Sequence, residues 1–229
     1  MLQIPRHVTF IACASAVAAS LIAIASCGGQ NTVLPGSGNS RPAGVARQIA
    51  VPQTSPTPIQ LVPGTTVGTE VFPEGDTSTG GQGQIVNGIP CQKSLSPTFH
   101  HHVHLSLFVN GVQIAIPRGT GMKDPDKNHY IYHAACFYWL HTHDETGIIH
   151  MEAPTSRFYV LHDYFYEWGE PLSTNNVAGY TGTQTIFING VQQAVDPRTI
   201  QFSPYEEITI EVGSPVVPPP VYAFPPNYK

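Results

Sequence analysis

Val103-His104-Leu105-Ser106-Leu107-Phe108-Val109 alternates apolar with other residues, breaks at Asn110-Gly111, and resumes as Val112-Gln113-Ile114-Ala115-Ile116. Asn-Gly between two such runs predicts a two-residue hairpin, because both central residues of a type I′ turn need positive φ. That turn sets a register with Val109 opposite Val112, Leu107 opposite Ile114 and Leu105 opposite Ile116, every pair aliphatic. The opposite face of the first strand then carries His100, His102, His104, Ser106 and Phe108.

A second hairpin is expected about Asp144-Glu145-Thr146-Gly147. A four-residue loop there places His143 opposite Ile148, His141 opposite His150, Leu140 opposite Met151 and Trp139 opposite Glu152. Cys136, Tyr138, Leu140, Thr142, Ile149 and Met151 share the core face. Trp139, His141, His143, His150 and Glu152 share the other.

Nine of the chain's 11 histidines lie between His100 and His150. Neutral imidazole is a common ligand of transition metals. Opposed Cβ atoms in an antiparallel pair are about 5 Å apart and alternate residues about 7 Å, so His141, His143 and His150 can converge on one ion. His100 and His104 are about 13 Å apart along their strand, so His100, His102 and His104 do not all reach the same ion. These six histidines are the candidate ligands, with Asp144 and Glu152 as a carboxylate ligand or as acceptors that hold an imidazole in place. Nitrogen donors of this kind suit copper or zinc. His101 has the wrong parity, His129 and His133 lie near a loop, and His162 falls on an expected helix.

The phrases His100-His101-His102-Val103-His104-Leu105, Cys136-Phe137-Tyr138-Trp139-Leu140-His141-Thr142-His143-Asp144, Gly147-Ile148-Ile149-His150-Met151-Glu152 and Tyr164-Phe165-Tyr166-Glu167-Trp168-Gly169 resemble those of an uncharacterised family of secreted or lipid-anchored bacterial and archaeal proteins. The resemblance runs from about Ile89 to Phe224. It implies that His100, His102, His104, His141, His143, Asp144, His150 and Glu152 belong to the site, and it implies no particular activity.

Beyond the second hairpin, Leu161, Tyr164, Phe165 and Trp168 recur at helical spacing, with Gly169 placed to end the helix. Thr183 to Phe187 and Val191 to Val195 flank Asn189-Gly190 as another hairpin, and Glu207 to Val212 reads as a closing strand. The expected fold class is α+β, mainly antiparallel β-sheet with one helix. The order of elements is similar to a β-grasp with an extra N-terminal hairpin, and a cupredoxin-like β-sandwich is the alternative.

Arg6 and His7 precede an apolar run from Val8 to Ala25, as in a secretory signal peptide. Ile24-Ala25-Ser26-Cys27 resembles a bacterial lipobox, which implies a leader over residues 1–26, cleavage before Cys27 and lipid on its sulfur. Cys91 and Cys136 remain as a pair in an oxidising compartment and are expected to form a disulfide. Residues 27–84, rich in Gly, Pro, Ser and Thr, read as a disordered tether. Residues 85–213 make the metal-binding domain and residues 214–229 a Pro-rich tail, lying along the domain or trailing from it.

A formal charge of −5 with no basic run argues against nucleic acid as a partner. The expected partner is the membrane, reached through lipidated Cys27; no particular protein partner is indicated. The leading function is an extracytoplasmic, membrane-tethered metal-binding protein. A metal-dependent enzyme with a three-histidine open site is the second reading, and a structural cell-surface module the third.

Overall fold

The structure is a computed structural model that describes residues 56–73, 75, 80–95 and 97–228. The expectations placed on residues 1–26, on Cys27 and on the first part of the tether lie outside these residues.

In chain order the strands are β1 (Ile59–Gln60), β2 (Phe99–Val109), β3 (Val112–Ile114), β4 (Met122–Lys123), β5 (Cys136–Phe137), β6 (Leu140–His141) and β7 (Ile148–Ala153). Helix α1 (Leu161–Trp168) follows. Then come β8 (Leu172–Ser173), β9 (Asn176–Val177), β10 (Tyr180–Thr181), β11 (Gln184–Ile188), β12 (Val191–Gln193), β13 (Glu207–Val212) and β14 (Tyr222–Ala223). The main sheet has the order β12-β11-β13-β2-β7-β6, with β3 also on β2. Every pairing in it is antiparallel except that of β13 with β2. The fold is therefore α+β and mainly antiparallel, with one α-helix among the described residues. Beside the main sheet of seven strands, the described residues form one sheet of three strands and two of two.

The first hairpin, expected as an addition at one end, supplies the central strand. Leu107 faces Ile114 and Val109 faces Val112 as the Asn-Gly turn requires, with Asn110 at φ 49 and Gly111 at φ 78. The expected pair of Leu105 with Ile116 does not form. Strand β3 stops at Ile114, and the Leu105 N–H donates instead to the Gly147 carbonyl, so the rest of β2's edge is given to the β7 segment. Val103, Leu105, Leu107, Ile149, Met151, Ile208 and Ile210 point to one side, where they meet Leu161, Tyr164, Phe165 and Trp168 of α1. The helix begins where the Asp163 carboxylate accepts the backbone N–H of Val160, and ends at Gly169 with φ 83.

The tether expectation fails for residues 56–73. Strand β1 pairs in parallel with β14, and Leu61 packs with Ile148 and Tyr222 in a second small core. Composition misled here because the apolar partners of this segment come from the far end of the chain rather than from its own neighbours. Accordingly the Pro-rich tail lies along the domain, with Phe224 and Tyr228 against the same small core.

Candidate metal centre

Three adjacent strands line up the histidines. Register pairs His102 of β2 with His150 of β7, His100 with Glu152, and His150 in turn with His141 of β6. Directly opposed residues share a face of the sheet, so His102, His150 and His141 form a row across three strands. Each of the three is no more than 4% exposed.

His143 joins them from outside the regular pairing. The chain leaves β6 after His141, where Thr142 N–H donates to the Thr120 carbonyl, and the expected pairing of His143 with Ile148 is not made. Gly121 passes so close behind this point that a Cβ on it would lie 2.1 Å from the Leu140 carbonyl oxygen. The His143 ring is fixed instead by Ile131, whose carbonyl accepts from Nδ1.

Two tautomers follow from these contacts. Carbonyl oxygen only accepts, so Nδ1 of His141, 2.9 Å from the Tyr138 oxygen, and Nδ1 of His143 both carry the proton. Their Nε2 atoms therefore present lone pairs, and these face each other at 3.2 Å. Two bare acceptors at that separation repel, whereas a tetrahedral ion bonded to both at about 2.05 Å would hold them about 3.3 Å apart. Backbone carbonyls that orient ligand imidazoles are a usual feature of metal sites.

Glu152 stands in the middle. Its Oε1 lies 3.3 Å from His100 Nε2, 3.5 Å from His150 Nδ1 and 3.8 Å from His141 Nε2. Ligand atoms of His141, His143, His150 and Glu152 all fall within 4.8 Å of one another, as do those of His100, His102 and His150. Burial pushes His141 and His150 well below the ordinary imidazole range, and neighbouring histidines add to the shift; His143 is lowered mainly by burial as well. The rings are therefore neutral, the form that ligates.

Two of the expected site residues do other work. His104 is buried away from the cluster, where its Nε2–H donates to the Thr146 carbonyl at 2.8 Å and its ring packs against Tyr222 at 4.3 Å. It stands two residues beyond His102, about 7 Å further along β2, opposite Ile148 rather than another histidine. Asp144 touches no imidazole through a hydrogen bond; its carboxylate accepts from Gly64 N–H, Thr146 N–H and the Thr146 hydroxyl, and so holds the hairpin loop and residues 64–67 together. His101 packs edge-on against Phe99, and His162 stacks on Tyr166 in α1.

Burial lowers the pKa of His104 to about 4. Its unfolded value is about 6.5, so the unfolded chain takes up a proton first as pH falls. Stability is complete above about 6.5 and is lost as pH drops from there through about 4, by about 3 kcal/mol. His104→Gln keeps a donor for Thr146 and removes the titration. Urea unfolding of the metal-free protein at pH 7.5 and pH 4 is expected to show the parent losing about 3 kcal/mol more than the variant; equal losses would refute the assignment.

Sequence reasoning missed two tyrosines. Tyr228 stacks on His102 with ring centroids 4.5 Å apart, Tyr130 stacks on His143 at 4.7 Å, and their hydroxyls meet at 3.3 Å. Tyr228 sits in the Pro-rich tail, where no pattern marks it, while Tyr130 gave only the weak signal of a histidine-rich loop. A cleft of about 320 Å³ opens on His141, His143 and Glu152, with Lys93, Tyr132 and His133 on its other walls. Cys91 and Cys136 are bonded with Cα atoms 5.4 Å apart, which ties the Lys93 segment to β5 beside the site. The bond agrees with the core parity read for Cys136.

No family model, curated protein or solved structure matches the chain. The site therefore has to be read from its own chemistry.

Proposed function

We propose that this is an extracytoplasmic, membrane-tethered metal-binding protein whose ion, zinc or copper, is held by His141 and His143, with His150 and Glu152 in reach to complete the shell. The observation that carries the reading is the pair of facing Nε2 atoms at 3.2 Å, both deprotonated by the demands of the carbonyls behind them. Donors of imidazole and carboxylate suit zinc and copper(II), and Met151 points into the apolar core rather than to the cluster. Elemental analysis of untagged protein from its native membranes is expected to find at least one equivalent of zinc or copper. Metal-free protein that takes up neither Zn(II) nor Cu(II) on dialysis would overturn the reading.

Support for the tether comes from Ile24-Ala25-Ser26-Cys27 and from the paired cysteines, which suit an oxidising compartment. Cys27→Ser is expected to move the protein to the soluble fraction or to leave its leader uncleaved. A variant processed and membrane-bound like the parent counts against lipid attachment.

The cleft favours a second reading, a metal-dependent enzyme. It reaches the ligand side of His141, His143 and Glu152, where a bound water could be activated and Glu152 could accept its proton. Turnover of ester or phosphoester substrates that requires the metal, and that Glu152→Gln abolishes while metal stays bound, would establish it.

A further inference from the structure

The donors are more numerous than one ion needs. Six side chains, His100, His102, His141, His143, His150 and Glu152, gather here, and among the described residues they form two overlapping sets that share His150. Ligands of one ion bonded at about 2.0–2.2 Å are at most about 4.4 Å apart, even when directly opposite. One ion therefore leaves some of these imidazoles unused.

Two close pairs of ring nitrogens stand side by side in the cluster. His141 Nε2 and His143 Nε2 make the first at 3.2 Å. His102 Nε2 and His150 Nδ1 make the second, also at 3.2 Å. Glu152 lies between them, its Oε1 3.8 Å from His141 Nε2 in the first pair and 3.5 Å from His150 Nδ1 in the second. His100 Nε2, 3.3 Å from the same oxygen, stands on the second side. A nitrogen has one lone pair and serves one ion, whereas a carboxylate has two oxygens and can bridge. Each half has its own aromatic cover, Tyr130 over His143 and Tyr228 over His102.

We propose that the cluster is a dinuclear centre: one ion on His141 and His143, a second on His100, His102 and His150, and Glu152 as the carboxylate bridging them. The inference rests on the metal-binding reading above and adds the number of ions and their partition. Carboxylate-bridged pairs of ions are typically about 3.5–4 Å apart, and the ion on His141 and His143 would face the cleft. Such a pair can bind one small anion or carbonyl between its two ions.

Stoichiometry separates the possibilities. Metal-free full-length protein titrated with Zn(II), freed of excess by gel filtration and analysed for metal, is expected to hold two ions per chain. The double variant His100→Ala with His102→Ala is expected to hold one, and so is His141→Ala with His143→Ala. With Cu(II), the parent's integrated electron paramagnetic resonance signal is expected to fall well below two spins through coupling of the pair, and either double variant to return one full spin. One ion per chain in the parent, unchanged in the His100/His102 variant, overturns the dinuclear centre and leaves the single-ion reading standing. No bound ion in the parent removes both.

Discussion

His141→Ala is expected to weaken Zn(II) binding by more than about 100-fold, since loss of a residue that merely orients a ligand already costs about 10–100-fold. The ring is buried, its Nδ1 is committed to the Tyr138 carbonyl, and its Nε2 faces that of His143. Alanine removes the donor atom, and the His143 ring that faced it stays held by the Ile131 carbonyl. His143→Ala is expected to do the same. The double variant should be little worse than either single one, as losing one edge atom already opens the ion's shell. His104→Gln, outside the cluster, should leave affinity unchanged. Calorimetry on variants shown by circular dichroism to be folded checks all four. Parental affinity together with the parental number of bound ions in the double variant would place the metal elsewhere.

Replacing both bonded cysteines with serine is expected to destabilise the domain by about 4 kcal/mol in the chain-entropy model, given a sequence separation of 45 residues. The bond closes a loop that contains β2, β3 and β4, so its removal frees the unfolded chain over that length. It also ties the Lys93 segment to β5, where Gln92 and Phe137 exchange backbone hydrogen bonds. Denaturant unfolding of the double variant should therefore show a lower midpoint with a somewhat steeper slope, because the freed unfolded chain exposes more surface, and the cleft wall should exchange its amide protons faster. A midpoint unchanged from the parent would mean that the loop is held by its other contacts alone.

Local chemistry explains which features could be read in advance. Asn110-Gly111 and Asn189-Gly190 each specify a tight turn, and a two-residue turn leaves only one register for its strands. The helix was legible because Leu161, Tyr164, Phe165 and Trp168 keep one face apolar over two turns. His141 opposite His150 followed from the length of a single loop. In each case the information lies within about a dozen residues, where the backbone geometry of a turn or a helix fixes what faces what.

The remainder was set by contacts between distant parts of the chain. Nothing in the alternation of β2 says that β7 will take the lower part of its edge, yet that pairing brings His102 beside His150 and His100 beside Glu152. Two half-legible hairpins thereby became one cluster, and His104, of identical parity, was left under Tyr222. Leu61 and Tyr228, in segments whose composition suggests no order, found partners only because β1 and β14 lie side by side. The sequence by itself determined the turns, the helix, the two faces and the residue types able to hold a metal. The tertiary structure decided which of those residues meet, because edge hydrogen bonds and buried apolar area are shared between strands far apart in the chain, and their pairing minimises a free energy that no local pattern contains.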